Sequence, residues 1–359
     1  MEATKGAHLN EAQPKQSKRA TISDVAKHAG VSRAAVSKVL RGAYGVSDLM
    51  KSRVEASMEV LGYRPSALAR GMRGRSYTLG VFVVDLSNTF VTVLIEGIRA
   101  EAEKHGYQVF IGEANMGLAQ QQQMIDAMMD RKMDGLVLIA PFGPEEELEK
   151  IAGSTPTVVL GRHGPGQGYD TVASDDIAGS ALIVDHLVSL GHRRISHLQH
   201  VGKEKNERTM PQTVRAEGYV QAMVRNGLER EVDIVASRWN FAGGAAAVDL
   251  LLNRENPPTA VHTGTDMAGF GVLARLYELG IDVPDRLSVV GYDNAAAAAL
   301  PQVALTSVDQ SGFEMGSLAT RLLVERIDGR SAPVSILVQP TLMVRKTTGS
   351  PASDEIPKP

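Results

Sequence analysis

The sequence predicts an α/β chain: a small all-α head, then a core built from parallel α/β sandwiches. Three observations carry this. Strand-like apolar runs and helical stretches alternate over about 250 residues. The charge is split: the 359-residue chain has a formal net charge of −3, yet residues 18–75 hold twelve Lys and Arg against four acids, a charge of +8. Because residues 1–17 are neutral, residues 76–359 carry −11. Within the basic segment, two short amphipathic stretches flank Gly30, the spacing of a helix-turn-helix. A basic head on an acidic body is the footprint of a polyanion-binding module.

The elements of the head follow in order. Residues 1–19 are polar and aperiodic and are expected to form a disordered tail. A helix-turn-helix domain is expected over 20–62. Thr21 with Asp24 three residues on resembles a capping box, and Ile22, Val25, Ala26 and Ala29 recur at helical spacing. Gly30 suits the left-handed turn that stops a helix. Ser32 can cap a second helix whose inward face is Ala35, Val36, Val39 and Leu40, with Arg33, Ala34, Ser37, Lys38 and Arg41 on the other face. A third helix is expected from a Ser47 cap to Gly62, with Met50, Val54, Met58 and Leu61 inward. In such a motif the second helix enters the major groove, which makes Arg33, Ala34 and Lys38 the expected base readers. Arg and Lys read guanine, and a small Ala can touch a thymine methyl. Thr21, Ser32, Ser37 and Ser47 are suited to phosphates.

Residues 63–76 read as a hinge. After Pro65, residues 66–73 have the composition of one or two helical turns, too few to hold alone in water. Apolar Met72 among basic residues points to a segment that folds on DNA and wedges into the minor groove; free of DNA it reads as a linker.

The core follows. Strands are expected at 79–85, 107–113, 134–140, 157–160, 194–200, 232–237, 260–265 and 287–293. Helices are expected between them at 88–105, 118–131, 176–190, 214–226, 244–253 and 266–279. This alternation implies parallel sheets covered on both faces, each of domain size. Ligands of such folds bind outside the carboxyl ends of the strands, so the residues that end strands are the ones to watch.

Several stretches together resemble the lactose-repressor/galactose-repressor (LacI/GalR) family of bacterial transcription regulators. They are residues 21–32 (TISDVAKHAGVS), 36–40 (VSKVL), 63–65 (YRP), Ala69 with Arg70, 85–88 (DLSN) with Phe90, 186–195 (HLVSLGHRRI) and 287–293 (LSVVGYD). The resemblance covers roughly residues 20–346. It implies a recognition helix over 32–40 and a hinge helix over 66–73 that places Ala69, Arg70 and Met72 at the minor groove, Met72 standing where the family usually has Leu. It implies a core like a periplasmic sugar-binding protein, with two subdomains joined by three crossings. The first would be 77–173 with 310–337 and the second 174–309 with 338–346, leaving 347–359 as a disordered tail. The function implied is a sequence-specific DNA-binding repressor of the bacterial cytoplasm, associated with the nucleoid. Its affinity for a pseudo-palindromic double-stranded operator would be controlled by a small ligand, a sugar or sugar derivative. A homodimer is expected, because residues 347–359 lack the apolar heptads of a tetramerising tail.

The same resemblance places an effector pocket between the subdomains. Arg215 matches the family's effector-gripping Arg, and its guanidinium fork suits paired hydroxyls or a carboxylate. Asp293 can accept two hydrogen bonds from vicinal hydroxyls. Trp239, the single Trp, falls where the family sets an aromatic against the ligand, with Phe241 as the competing candidate. Asn88, Phe90, Thr265 and Gln310 are carried over with them. Gly161 and Arg162 stand where many relatives have an acid, and the loop 161–168 is rich in Gly. That departure points to Arg162 as a pocket residue and to an anionic ligand, or one larger than a monosaccharide.

Other chemistry is not signalled. There is no Cys, which excludes disulfides, thiolate metal sites and a Cys nucleophile. HExxH, GxSxG, P-loop and helix-leading GxGxxG motifs are absent, so neither an enzyme nor a cofactor is expected. His192, His197 and His200 are not expected to bind metal. The glutamines from Gln120 to Gln123 read as a solvated helix face. No apolar run approaches a membrane span, and the polar N-terminus does not read as a signal peptide. Two rivals remain: a carbohydrate-binding protein without gene control, which would lack the basic head, and a Rossmann-type enzyme, which would need a phosphate fingerprint.

Overall fold

A computed structural model describes residues 20–40, 43–63, 75–114, 117–200 and 208–351. The chain divides into two compact units, Met1–Ser76 and Tyr77–Pro359.

Among the described residues, the first unit contains α1 (Ile22–Ala29), α2 (Arg33–Leu40) and α3 (Asp48–Val60). The Thr21 hydroxyl accepts from the Asp24 amide while the Asp24 carboxylate accepts from the Thr21 amide, a closed capping box. Gly30 ends α1 at φ 66 and its amide bonds back to Ala26 and Lys27. Ser32 Oγ accepts from Ala35 N at 3.1 Å, and Ser47 Oγ accepts from Met50 N at 3.3 Å. Val25, Ala26, Ala29, Val36 and Val54 form the buried centre of this unit. Arg53 of α3 donates to the Ala29 carbonyl at 2.8 Å, tying α3 to the end of α1.

The second unit holds two six-stranded sheets. The first lobe contains β1 (Thr78–Val83), β2 (Gln108–Glu113), β3 (Gly135–Ile139), β4 (Thr157–Leu160), β5 (Asp170–Ser174) and β11 (Ser335–Val338), in spatial order β11-β5-β4-β3-β1-β2. Every pairing in it is parallel. The second lobe contains β6 (Ile195–His200), β7 (Asp233–Ser237), β8 (Ala260–His262), β9 (Ser288–Tyr292), β10 (Thr306–Asp309) and β12 (Thr341–Met343), in order β12-β10-β9-β8-β6-β7. Only its edge strand β12 runs antiparallel. The chain therefore crosses between lobes after β5, after β10 and after β11.

The central strands are buried on both faces and read as continuous Val/Leu/Ile runs, as parallel sheets require. Helices α4 (Thr89–Lys104) and α5 (Leu118–Asp130) follow β1 and β2; α6 (Glu145–Ser154) follows β3. In the second lobe lie α7 (Asp176–Ser189), α8 (Pro211–Arg225), α9 (Phe241–Leu252) and α10 (Asp266–Glu278). Helix α11 (Gly312–Ile327) returns to the first lobe and packs on α4. The approach is close: a Cβ on Gly97 would lie 2.0 Å from the Phe313 carbonyl, and one on Gly316 would lie 2.1 Å from the Leu94 carbonyl. Helices α6 and α11 are not among the helices expected from periodicity.

Two expectations need correction. A disordered tail from 347 does not hold for residues 347–351. Thr347 is buried and its hydroxyl donates to the Val289 carbonyl at 2.7 Å, while the Gly349 carbonyl meets His192 Nε2 at 2.8 Å. Short polar residues satisfy strand edges here, a signal that apolar periodicity does not carry. The glutamine run is likewise not wholly solvated. Gln121 is buried, donating to the Phe142 carbonyl at 2.7 Å and accepting from its amide at 2.9 Å.

Candidate nucleic-acid interface and effector cleft

On α2 the inward face is set by Val36, and Arg33, Ala34 and Lys38 are exposed together. The hydroxyls expected at phosphates are already engaged in part. Ser32 and Ser47 use an acceptor lone pair as caps and keep a proton to donate; the Thr21 hydroxyl gives its proton to Asp24 at 2.7 Å. Ser37 is half-buried on α2. Ala69, Arg70 and Met72, with the hinge helix, lie outside the described residues.

In the second unit a cavity of about 210 Å³ lies where the carboxyl ends of both sheets face each other. The first lobe supplies Asp85, Asn88 and Phe90 after β1, Ala140 and Phe142 after β3, and Gly161 after β4. The second lobe supplies His200 at the end of β6, Arg215 on α8, Trp239 after β7, Thr265 after β8 and Asp293 after β9. Asp176, which opens α7, and Gln310, in the crossing after β10, also line it.

Arg215 organises the polar wall. Its Nε donates to Asp176 Oδ1 at 2.8 Å, Nη1 to the Gly264 carbonyl at 2.7 Å and Nη2 to Gln310 Oε1 at 3.1 Å. The guanidinium lies 3.8 Å from the Tyr292 ring centroid and 5.0 Å from that of Trp239. Burial alone would raise the Asp176 carboxyl; the Arg215 charge and the His163 hydrogen bond outweigh it and hold it below the ordinary carboxylate range. Gln310 also donates to Asp293 Oδ1 at 2.6 Å. Burial pushes Asp293 well above its ordinary value, although Arg215 pulls the other way. Its backbone sits at φ 122 and that of Asn294 at φ 50, strain of the kind that binding sites retain. Behind it, burial raises Asp266 to about 7 despite hydrogen bonds from Ser307 and the Ala295 amide.

The aromatic wall is fixed as firmly. Trp239 Nε1 donates to the Leu198 carbonyl at 2.9 Å and its amide donates to His200 Nδ1 at 3.2 Å. Gly264, at φ 75, lies against the indole; a Cβ there would be 2.3 Å from Trp239 Nε1. Phe241, the competing aromatic, begins α9, is half exposed and does not line the cavity.

Residues 21–66 match the family described as bacterial regulatory proteins, lacI family, and residues 184–348 match a periplasmic binding protein-like domain. The chain is 32% identical over 339 residues to the HTH-type transcriptional repressor CytR of Escherichia coli K12, covering 93% of this chain and 98% of that protein. The chain belongs to the LacI family of bacterial regulatory proteins. Among solved structures, a LacI transcriptional regulator from a Rhodococcus species is 32% identical, with a TM-score of 0.71 over 77% of this chain and 100% of that one. The complex of the transcriptional regulator CelR with cellobiose is 27% identical, with a TM-score of 0.67 over 92% of this chain and 100% of that one.

In this LacI-family chain the cavity brings together Asn88, Phe90, Arg215, Trp239, Thr265 and Asp293, with Gln310 beside them. Asn88 and Thr265 also cap α4 and α10, through Phe90 N at 3.0 Å and Ala268 N at 3.3 Å. Arg162 is not brought in. Its guanidinium turns away to the Gly143 carbonyl at 2.9 Å and the Thr209 hydroxyl at 3.1 Å, leaving the backbone of Gly161 on the wall. Arg162 therefore offers no cation on the wall to an anionic ligand. Sequence reasoning misses Asp176, Phe142 and His200. Asp176 had a signal, since Asp175 and Asp176 follow directly on the strand Asp170–Ser174 and open the next helix. Phe142 had none, since it depends on Gln121 holding its backbone.

Proposed function

We propose that this chain is an operator-binding transcriptional repressor whose DNA affinity is set by a neutral, polyhydroxylated small molecule, a sugar or sugar derivative, held in the cleft. The observation that carries the ligand class is the pairing of one aromatic wall with one hydrogen-bonding wall, Trp239 facing the linked set Arg215, Gln310 and Asp293. An indole face suits the apolar face of a pyranose, and paired acceptors suit vicinal hydroxyls. The cellobiose held by the related CelR is of this class. The carboxylates Asp85 and Asp176 on the wall disfavour an anion, with Arg215 spent largely on Asp176.

DNA would be read by Arg33, Ala34 and Lys38, with Ser32, Ser37 and Ser47 on phosphates and Ala69, Arg70 and Met72 at the minor groove between half-sites. A second copy of the chain would read the other half-site of a pseudo-palindrome. The corresponding sheet edges suit such pairing: Phe110 and Ile111 are exposed on edge strand β2, and Ile234 on edge strand β7. The protein would act by binding, with no catalytic step, on the nucleoid in the bacterial cytoplasm; among the described residues no helix is long and apolar enough to cross a membrane. Effector and operator are linked through the core, so each changes the other's affinity by the same factor.

The test is operator selection from random duplexes, followed by a thermal-shift panel of neutral sugars, sugar acids, sugar phosphates and nucleosides on the full chain. A neutral sugar that raises the melting temperature and changes operator affinity supports the reading. A response confined to acids or phosphates overturns the ligand class.

A further inference from the structure

The glycine-rich loop 161–168, a departure from the family pattern, faces a different task from ligand binding. It belongs to the first lobe but bonds to the second at three points. Arg162 Nε and Nη2 donate to the Thr209 hydroxyl at 3.2 and 3.1 Å, the His163 amide donates to the Thr209 carbonyl at 2.7 Å, and His163 Nε2 meets Asp176 Oδ2 at 2.7 Å. Thr209 precedes α8, and Asp176 opens α7, both helices of the second lobe. The root of the loop is anchored in the first lobe. Arg162 Nη1 donates to the Gly143 carbonyl, and the amides of Gln167 and Gly168 each donate to the Glu149 carboxylate at 2.8 Å. Gly161 at φ 75 and Gly164 at φ 95 allow the backbone turns on either side of the Arg-His pair.

We infer that residues 161–168 form an interlobe clasp, and that His163 is a positioning residue which ties closure of the cleft to Arg215. Asp176 is the shared atom set: Oδ2 takes His163 from the first lobe, while Oδ1 takes Arg215 from the second. When the lobes part, Asp176 loses the His163 bond and the carboxylate that orients Arg215 is held from one side only. Closure is thus registered at the residue that faces the ligand. Arg162 serves the clasp with a charged donor, which explains a basic residue at this place without an anionic ligand.

The inference rests on reading the cleft as the effector site, but its test does not. Every contact in the clasp joins groups of the protein itself, so it is measured on the full chain with no small molecule added. Residue-resolved hydrogen exchange should show the His163 amide protected. Arg162→Ala should speed its exchange about tenfold, the worth of a charge-assisted hydrogen bond, and His163→Ala should do the same. His163→Gln, which keeps a donor toward Asp176, should restore protection. Amides within both sheets, such as Val137 and Val290, should keep wild-type rates in all three variants, which separates clasp opening from unfolding. A His163 amide that exchanges as fast as an open loop in the wild type, or is indifferent to Arg162→Ala, overturns the clasp. Failure of the sugar panel with the clasp intact would count against the effector reading alone.

Discussion

Arg215 and Tyr292 meet on one oxygen: both donate to Asp176 Oδ1 at 2.8 Å, and the guanidinium lies 3.8 Å from the Tyr292 ring centroid. The residue expected to grip a ligand is therefore also a buried structural cation. Removing it leaves Asp176 charged and nearly inaccessible to water. Arg215→Met is expected to lower the stability of the core by about 3–5 kcal/mol. Adding Asp176→Asn removes the stranded charge, and the double variant should recover about 1–3 kcal/mol of that loss. Urea denaturation of the four proteins of the cycle measures it; strict additivity would show that the pair is not coupled.

The Gly30 position links backbone geometry to the DNA-binding head. It sits at φ 66, and a Cβ there would lie 3.0 Å from Arg53 Nη2, the group that caps α1 at Ala29. Gly30→Ala pays the left-handed penalty of an L-residue and displaces that cap, about 1–2 kcal/mol together. The head should melt earlier by circular dichroism and bind DNA more weakly, while thermal shifts of the core stay unchanged. Equal stability would mean that the Arg53 contact yields freely.

How much of this was legible depends on the kind of signal. Caps and turns of the head are local, so Thr21, Gly30, Ser32 and Ser47 could be placed from neighbouring residues alone. Arg215, on α8, was legible through motif resemblance alone, and Asp293 also through its position at the end of a strand. Arg162 misled because a side chain's direction is set by long-range partners: Thr209 lies 47 residues away and Gly143 lies 19 away. Helix α11 escaped periodicity because it packs by backbone approach at Gly316 as much as by an apolar stripe.

His197 makes acid sensitivity readable. It is buried between Tyr219 and His262, with ring centroids 5.4 and 4.4 Å away, and burial, with Arg215 next in effect, pushes it down to about 3. An unfolded His titrates near ~6.5. From that value down to about 3 the unfolded chain binds a proton that the folded chain refuses, so stability falls as pH falls. Asp266, raised to about 7, works in the opposite direction, because the folded state takes its proton first. Burial also raises Asp293 and lowers His262, so the raw pH curve mixes several groups, and a difference isolates His197. Wild type should lose about 2 kcal/mol relative to His197→Phe between pH 7 and pH 5. Parallel stability curves would mean that His197 reaches solvent.

Arg33 and Lys38 lie exposed on the same face of α2 as Ala34, with no role in the buried centre of the head. If they read base edges, each should matter for sequence and not only for charge. Arg33→Ala is expected to weaken binding to the selected operator by about 1–3 kcal/mol and relax preference at one base pair of each half-site. Lys51, exposed on α3, gives the contrast. Lys51→Ala should leave base preference unchanged, whatever it does to overall affinity. Binding is to be measured by fluorescence anisotropy on operators changed one base pair at a time, across a salt series, because phosphate contacts alone alter the salt slope uniformly. If Arg33→Ala and Lys38→Ala lowered affinity for every duplex equally, both side chains would belong to the backbone and another residue of the head would read the sequence.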